Sequence, residues 1–291
     1  MGALPQHLVN GLTVGSLYAL LAIGLSLTYG VLRIIHIAHG AVYMLGGMIS
    51  YTLMVRFRLP PLPAIALTLA ACAGVGVVFE RWAYRPLRTA PIIVTLISSL
   101  GLLLMVENLA RIAWGPLTQP YPQFVSLRVY ALGSVIVTNL QLLVLALGLA
   151  LMVALQWCLR HTQVGLATLA AVQNPRGARL CGIDIDAIAL VIFAVGSGLA
   201  GLAGILEGLY LTSVDPSMGQ IFGLKAFVAV VVGGLGSIAG TMLAAYLIGL
   251  LEALTAAYVS AGLRDVITFA LLVLVLMVRP SGLLGRRVDR A

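Results

Sequence analysis

The sequence predicts an all-α, polytopic helical membrane protein of about eight to nine transmembrane helices. Of its 291 residues 61% are hydrophobic and only 9% are charged, against roughly a quarter charged in an ordinary soluble domain. Apolar runs of about 20 residues recur from one end to the other, each long enough to cross the hydrocarbon core of a bilayer. The chain also holds 32 glycines, which membrane helices tolerate because close backbone approach replaces hydrophobic burial as the packing force. The same composition excludes a disordered chain. It leaves no stretch for a separate water-soluble domain, so residues 1–291 read as one transmembrane domain and any nucleotide chemistry has to come from a partner.

The first span is the uncharged run 8–30, and the second follows Arg33 over 35–55. Pro60, Pro61 and Pro63 precede a third at 64–79, which ends in the polar stretch Glu80 to Thr89. A fourth, 91–113, is interrupted by Glu107 and Arg111, and the proline-containing segment Pro116 to Arg128 reads as an irregular connection. The fifth covers 135–159. The interval 160–188 is the longest polar stretch, and Pro175 at a first helical position predicts a short helix there. Residues three and four apart share a helix face, which brings Ala178, Arg179, Gly182 and Ile183 together. Four more crossings follow at 187–212, 218–236, 239–259 and 264–279, with the uncharged run 226–251 divided at Gly233-Gly234-Leu235-Gly236-Ser237 because it exceeds one span. One of the nine segments entering without crossing would give eight spans.

The net charge of +8 comes from 17 basic residues scattered between apolar blocks, all Arg except Lys225. That distribution fits loop ends of a membrane protein rather than a nucleic-acid face. With the carboxyl terminus inside, the cytoplasmic set is Arg33, Arg81, Arg85, Arg88, Arg160, Arg176, Arg179, Arg279, Arg286, Arg287 and Arg290, eleven of the 17. The bias therefore predicts a cytoplasmic carboxyl terminus and, with nine crossings, a periplasmic amino terminus. No Lys or Arg precedes Arg33, so the first apolar stretch reads as a retained helix rather than a cleaved leader. Cys72, Cys158 and Cys181 are odd in number and far apart, which predicts neither a metal site nor a disulfide framework.

Gly11-x-x-x-Gly15 in the first span and Gly204-x-x-x-Gly208 in the sixth read as helix-packing motifs, and the following spans carry Gly46-Gly47 and Gly233-Gly234. The pattern hints at an inverted duplication. An intramembrane enzyme would need a nucleophile and a base. The chain has neither H-E-x-x-H nor G-x-S-x-G, and of its four histidines only His36 and His39 fall in a span. Glu107, Glu207, Lys225 and Glu252 interrupt apolar runs, where a charge is expensive unless paired or facing water. His36, His39, Glu107 and Glu207 are thus candidate path-lining residues. The plainer reading makes each a helix cap or a bundle contact, and an ion-driven secondary carrier remains a rival class.

The segment Gly11-Leu-Thr-Val-Gly-Ser-Leu-Tyr-Ala-Leu20, continuing through Gly24-Leu-Ser-Leu-Thr-Tyr-Gly30 to Ala38-His39-Gly40, resembles the signature of branched-chain amino acid ABC-transporter permeases of the LivH type. Further matches are Glu80-Arg-Trp-Ala-Tyr-Arg-Pro-Leu-Arg88, Gln173-Asn-Pro-Arg-Gly-Ala-Arg-Leu-Cys-Gly-Ile183, Gly223-Leu-Lys-Ala-Phe227 and Arg279-Pro-Ser-Gly-Leu283. The resemblance implies a bacterial inner-membrane subunit that binds no cofactor itself. It would pair with a second homologous permease, two cytoplasmic ATP-binding subunits and a periplasmic solute-binding protein. It also implies that Asn174, Pro175, Ala178, Arg179, Gly182 and Ile183 belong to the coupling loop on the ATPase, with Arg179 as a charged contact and Gly182 permitting close approach. His36 stands where the family usually has Asn, and the motifs do not separate leucine, isoleucine and valine from urea or short amides.

Overall fold

The computed structural model describes residues 4–132 and 135–285. Arg286, Arg287 and Arg290, counted above on the cytoplasmic side, lie outside the described residues. The elements are, in order, α1 (Leu4–Leu32), α2 (His39–Val55), α3 (Pro61–Val78), α4 (Ile92–Trp114), β1 (Gln119–Pro120), β2 (Val129–Leu132), β3 (Val135–Thr138), α5 (Asn139–His161), α6 (Gln163–Gln173), α7 (Pro175–Leu180), α8 (Ile185–Leu211), β4 (Ser213–Val214), α9 (Met218–Gly233), α10 (Ile238–Tyr258) and α11 (Arg264–Val278). Among the described residues seven helices are long and apolar enough to cross a membrane. They include α3, whose axis runs on through a wider π-helical turn at Phe79–Tyr84. Helices α2 and α9 have 17 and 16 residues.

Local chemistry sets the boundaries. Pro60 and Pro61 start α3, and Pro91 precedes α4, because proline fits where an N–H has no intrahelical partner. Helix α5 begins at Asn139 rather than at 135: the Thr138 hydroxyl accepts the Gln141 amide at 3.1 Å and the Gln141 side chain accepts the Thr138 amide at 3.0 Å, a capping box. The long apolar run divides where expected. Helix α9 stops at Gly233, Gly234 takes φ +107°, and Ser237 caps α10 through the Gly240 amide at 3.2 Å.

Two connections differ from the sequence reading. The interval 160–188 is not a continuous polar loop. The Thr162 hydroxyl caps α6 through the Gly165 amide at 3.0 Å, and α6 packs on α1, α5 and α8 through residues such as Ala171. The segment after α4 is not wholly irregular either. Strand β1 pairs antiparallel with β4, and β2 with β3. Asp215, beyond β4, helps hold this layer. Burial pushes its carboxyl up, but donors from Ser217 and from Thr118 outweigh burial and leave it below the usual carboxylate range.

Helices α1 and α8 form the centre, with Leu17 to Leu27 of α1 buried on every side, as expected for a helix apolar all round. Helices α4, α5 and α11 turn large apolar side chains such as Ile112, Val153 and Met277 outward. In a membrane protein those faces suit lipid or a partner subunit. The first helix of each half lies against the third of the other, α1 on α10 and α3 on α8. The resemblance of the halves therefore lies in this exchange rather than in the glycine pairs, which meet different partners. A Cβ on Gly11 would lie 2.8 Å from Leu250 Cα and one on Gly15 2.9 Å from Tyr246 Cα, both on α10. On Gly204 it would strike the Tyr43 carbonyl, on Gly208 the Val214 and Tyr121 side chains, and on Gly233 the Gly240 backbone.

At three crossings glycine faces glycine across close backbones: Gly24 with Gly196, Gly46 with Gly201, and Gly40 with Gly219. Gly46→Leu is expected to destabilise the bundle by about 1–3 kcal/mol or more, because α2 has no room to retreat from α8. Gly74 of α3 is the control, since nothing lies within 4 Å of a Cβ there. Thermal melts of the purified variants check this; equal midpoints for Gly46→Leu and Gly74→Leu would refute it.

Candidate functional site

The chain between α1 and α2 leaves helical geometry, with Ile34, His36 and Ala38 all buried. Irregular backbone inside a membrane bundle needs protein partners for its polar groups. His36 Nδ1 lies 2.6 Å from the Tyr84 hydroxyl, Tyr84 donates to Ser99 Oγ at 2.9 Å, and Ser99 Oγ accepts the Ala38 amide at 3.0 Å. This chain of bonds ties the break to α4 and to the π-helical end of α3. His36 also packs edge-on against Phe79 and Tyr84, and its ring centroid is 5.3 Å from that of His39. His39 Nδ1 and Nε2 are buried without hydrogen-bond partners among the described residues, and the ring lies against Gly24.

At the end of the bundle where α1 begins, a cavity of about 480 Å³ opens between α1, α8, α9, α10 and α11. Lys225 Nζ lies 2.9 Å from Glu252 Oε1 and 2.8 Å from Asp265 Oδ1. Glu252 accepts further bonds from Tyr18 at 2.7 Å and Thr268 at 2.6 Å, so a carboxylate deep among helices has three donors. Glu207 lines the same cavity, 2% exposed, with Oε2 lacking a partner among the described residues. Glu107 is equally buried with both oxygens unpartnered, but it lines neither this cavity nor the larger one at the other end.

The four residues singled out from sequence therefore do not share a site. His36 and His39 lie in a packed aromatic cluster, Glu107 sits on α4, and Glu207 alone lines a described cavity. His36 packs at the break and lines neither cavity. The partners Lys225, Glu252 and Asp265 come from three helices, which no spacing rule joins. Their legible signal was the presence of Lys225 and Glu252 in runs otherwise free of charge.

At the opposite end, α7 stands between α6 and the start of α8. The Asn174 side chain caps it through the Gly177 amide at 3.0 Å, and Pro175 occupies the first turn. Ala178 is buried and Ile183 half-buried, with the Ile183 amide on the Ala178 carbonyl at 3.1 Å, which anchors the turn. Arg179 and Gly182 face outward, as does Leu180, which is 90% exposed and was not singled out from sequence. Gly182 adopts φ +82° with open space around its Cα, so its local requirement is a left-handed turn that ends the helix. Just beyond, Asp186 pairs with Arg88 and with Arg85, the latter at 2.6 Å, and Arg88 also pairs with Glu80. These ion pairs join the α7–α8 corner to the end of α3. A second cavity, about 840 Å³, lies at this end between the last turn of α1, α6 and the α9–α10 turn.

A membrane bundle with the buried Lys225–Glu252 pair beside a cavity at one end, and a small capped helix held outward at the other, belongs among solute permeases. The chain is a member of the family described as branched-chain amino acid transport system, permease component, whose match spans residues 7–276. The high-affinity branched-chain amino acid transport system permease protein LivH of Salmonella typhimurium is 34% identical over 294 residues, covering 97% of this chain and 95% of that protein. The corresponding permease protein BraD of Pseudomonas aeruginosa is 35% identical over 293 residues, with the same coverage of 97% and 95%. The ribose import permease protein RbsC of Escherichia coli matches a shorter stretch of 102 residues at 35% identity, 33% of this chain. No solved structure matches the chain. The protein is a membrane-embedded transport permease of this family.

Proposed function

We propose that this chain is the inner-membrane permease subunit of an ATP-driven importer that moves leucine, isoleucine and valine. The observation that carries the reading is similarity at 34–35% identity over 97% of the chain to permeases named for branched-chain amino acids. In this reading a second, homologous permease completes the path, two cytoplasmic subunits hydrolyse ATP, and a periplasmic binding protein delivers the solute. The chain makes and breaks no covalent bond. Its work is done through contacts that differ between outward-open and inward-open states.

The coupling loop is 160–188, and α7 is its contact with the ATPase. Asn174 and Pro175 shape the helix, Ala178 and Ile183 seat it, and Arg179, Leu180 and the Gly182 turn meet the partner. ATP-driven closure of the ATPase pair pushes on α7, and the ion pairs of Asp186 with Arg85 and Arg88 carry the displacement into α8 and α3. The amino terminus and the Lys225 cavity then face the periplasm, and α7 and the carboxyl terminus face the cytoplasm. Supporting this are the positions of α7 and the cavity at opposite ends and the concentration of Arg81, Arg85, Arg88, Arg176 and Arg179 around α7.

Proteoliposomes carrying the complete set of subunits are expected to accumulate leucine only with ATP and binding protein. Accumulation by this chain alone, driven by an ion gradient, would refute the reading. Orientation is checked by thiol labelling: the exposed Cys181 next to α7 reacts with an impermeant maleimide in inside-out vesicles and not in right-side-out cells expressing the chain alone. The reverse pattern overturns the topology.

A further inference from the structure

The cavity among α1, α8, α9, α10 and α11 is lined by two acidic and two basic side chains, Glu207 and Glu252 with Lys225 and Arg264. Lys225 is shared by Glu252 and Asp265, one ammonium between two carboxylates. Glu207 adds a third carboxylate whose Oε2 is buried and has no donor. A buried acceptor left without a partner costs free energy, and Glu207 is one of the residues lining a cavity of about 480 Å³, which has room for a small solute. Val14, Leu17, Phe222 and Ala253 give the same cavity an apolar wall. Arg264 stands on the rim, exposed, with no ion pair among the described residues. The cavity thus offers an acceptor inside, a hydrocarbon surface beside it and a cation at the entrance.

We propose that this cavity is an amino-acid binding site within a single permease subunit, in which Glu207 accepts the α-ammonium group, the Val14–Leu17–Phe222 wall takes an aliphatic side chain, and Arg264 meets the α-carboxylate. The proposal rests on the importer reading and deepens it by naming the groups that sort zwitterionic amino acids from neutral amides and urea. Glu207 has unpaired acceptor capacity for an ammonium group, whereas a neutral amide would leave its charge uncompensated. Lys225, already held by two carboxylates, positions the cluster and does not contact the ligand. The site lies at the end of the bundle remote from α7, where solute released by a binding protein would first arrive.

Saturation-transfer NMR on the full-length chain in lipid nanodiscs tests this with three probes of one carbon skeleton: leucine, leucine amide and 4-methylpentanoate. Leucine is expected to bind, and 4-methylpentanoate, which lacks the ammonium group, is not. Glu207→Gln should weaken leucine binding about tenfold or more, the loss of one charge-assisted hydrogen bond. Arg264→Gln, an exposed change with no folding burden, should weaken leucine and leave leucine amide unaffected. Unchanged leucine binding in Glu207→Gln, or 4-methylpentanoate binding as well as leucine, overturns the site. If the complete importer accumulates leucine while the chain shows no binding, this inference fails and the importer reading stands. If the importer carries urea and not leucine, both fail.

Discussion

Lys225→Met lowers the thermal stability of the purified protein by about 3–5 kcal/mol, the loss expected when one partner of a buried ion pair is removed. The size follows from what is left behind. Glu252, 4% exposed, keeps bonds from Tyr18 and Thr268 but loses its cation, and a carboxylate among transmembrane helices has little water to replace it. Asp265 is more than half exposed and is solvated without Lys225, so the loss concentrates on Glu252. The double variant Lys225→Met with Glu252→Gln removes both charges and is expected to recover most of the stability, because neutral replacement of a whole pair costs far less than breaking it. Thermal melts of parent, both single variants and the double variant close the cycle. A Lys225→Met protein as stable as the parent would show that the network contributes nothing.

Leu180→Asp combined with Arg179→Glu leaves the permease folded and inserted but reduces ATP-dependent uptake more than tenfold. Leu180 is exposed at the tip of α7 with Arg179 beside it; arginine is among the residue types enriched at interface hot spots, and the leucine adds apolar area next to it. Loss of one such anchor costs about 2 kcal/mol or more, a factor of about thirty in affinity. The scaffold itself is untouched, since Asn174, Ala178 and Ile183 hold α7 from the other side. Uptake and ATP hydrolysis are measured together in reconstituted vesicles. Normal uptake by the double variant would remove α7 from the coupling path.

Residues whose meaning is set by their neighbours in sequence were legible, and those whose meaning is set across helices were not. Pro60 and Pro61, the Gly233 to Ser237 turn and the Pro175 helix start announced themselves, because proline and glycine act on their own backbone. Helix α6 was hidden by Arg160 and Asp186, which bracket a segment whose apolar face meets α1 and α8 only in the folded chain. The strands around β1 were hidden by prolines that suit an edge but read as irregular chain. Among candidate site residues, interruption of an apolar run marked both Glu107 and Glu207; the glycines around Glu207 made it the stronger candidate, and Glu207 is the one that lines a cavity. His36 was distinctive by residue type, yet its hydrogen bond reaches Tyr84 on another element.

The glycine-to-glycine contacts at Gly24–Gly196, Gly40–Gly219 and Gly46–Gly201 bear on motion as well as on packing. Interlocked side chains resist sliding because each knob has to leave its hole and change rotamer, whereas two bare backbones present a smooth track. The junctions of α8 with α1 and of α2 with α8 and α9 are therefore where sliding would meet the least steric resistance. Small shear along them needs no repacking of large side chains. The ion pairs at the α7 end and the Lys225 network at the other act as the stiff handles between which such a slide would be driven.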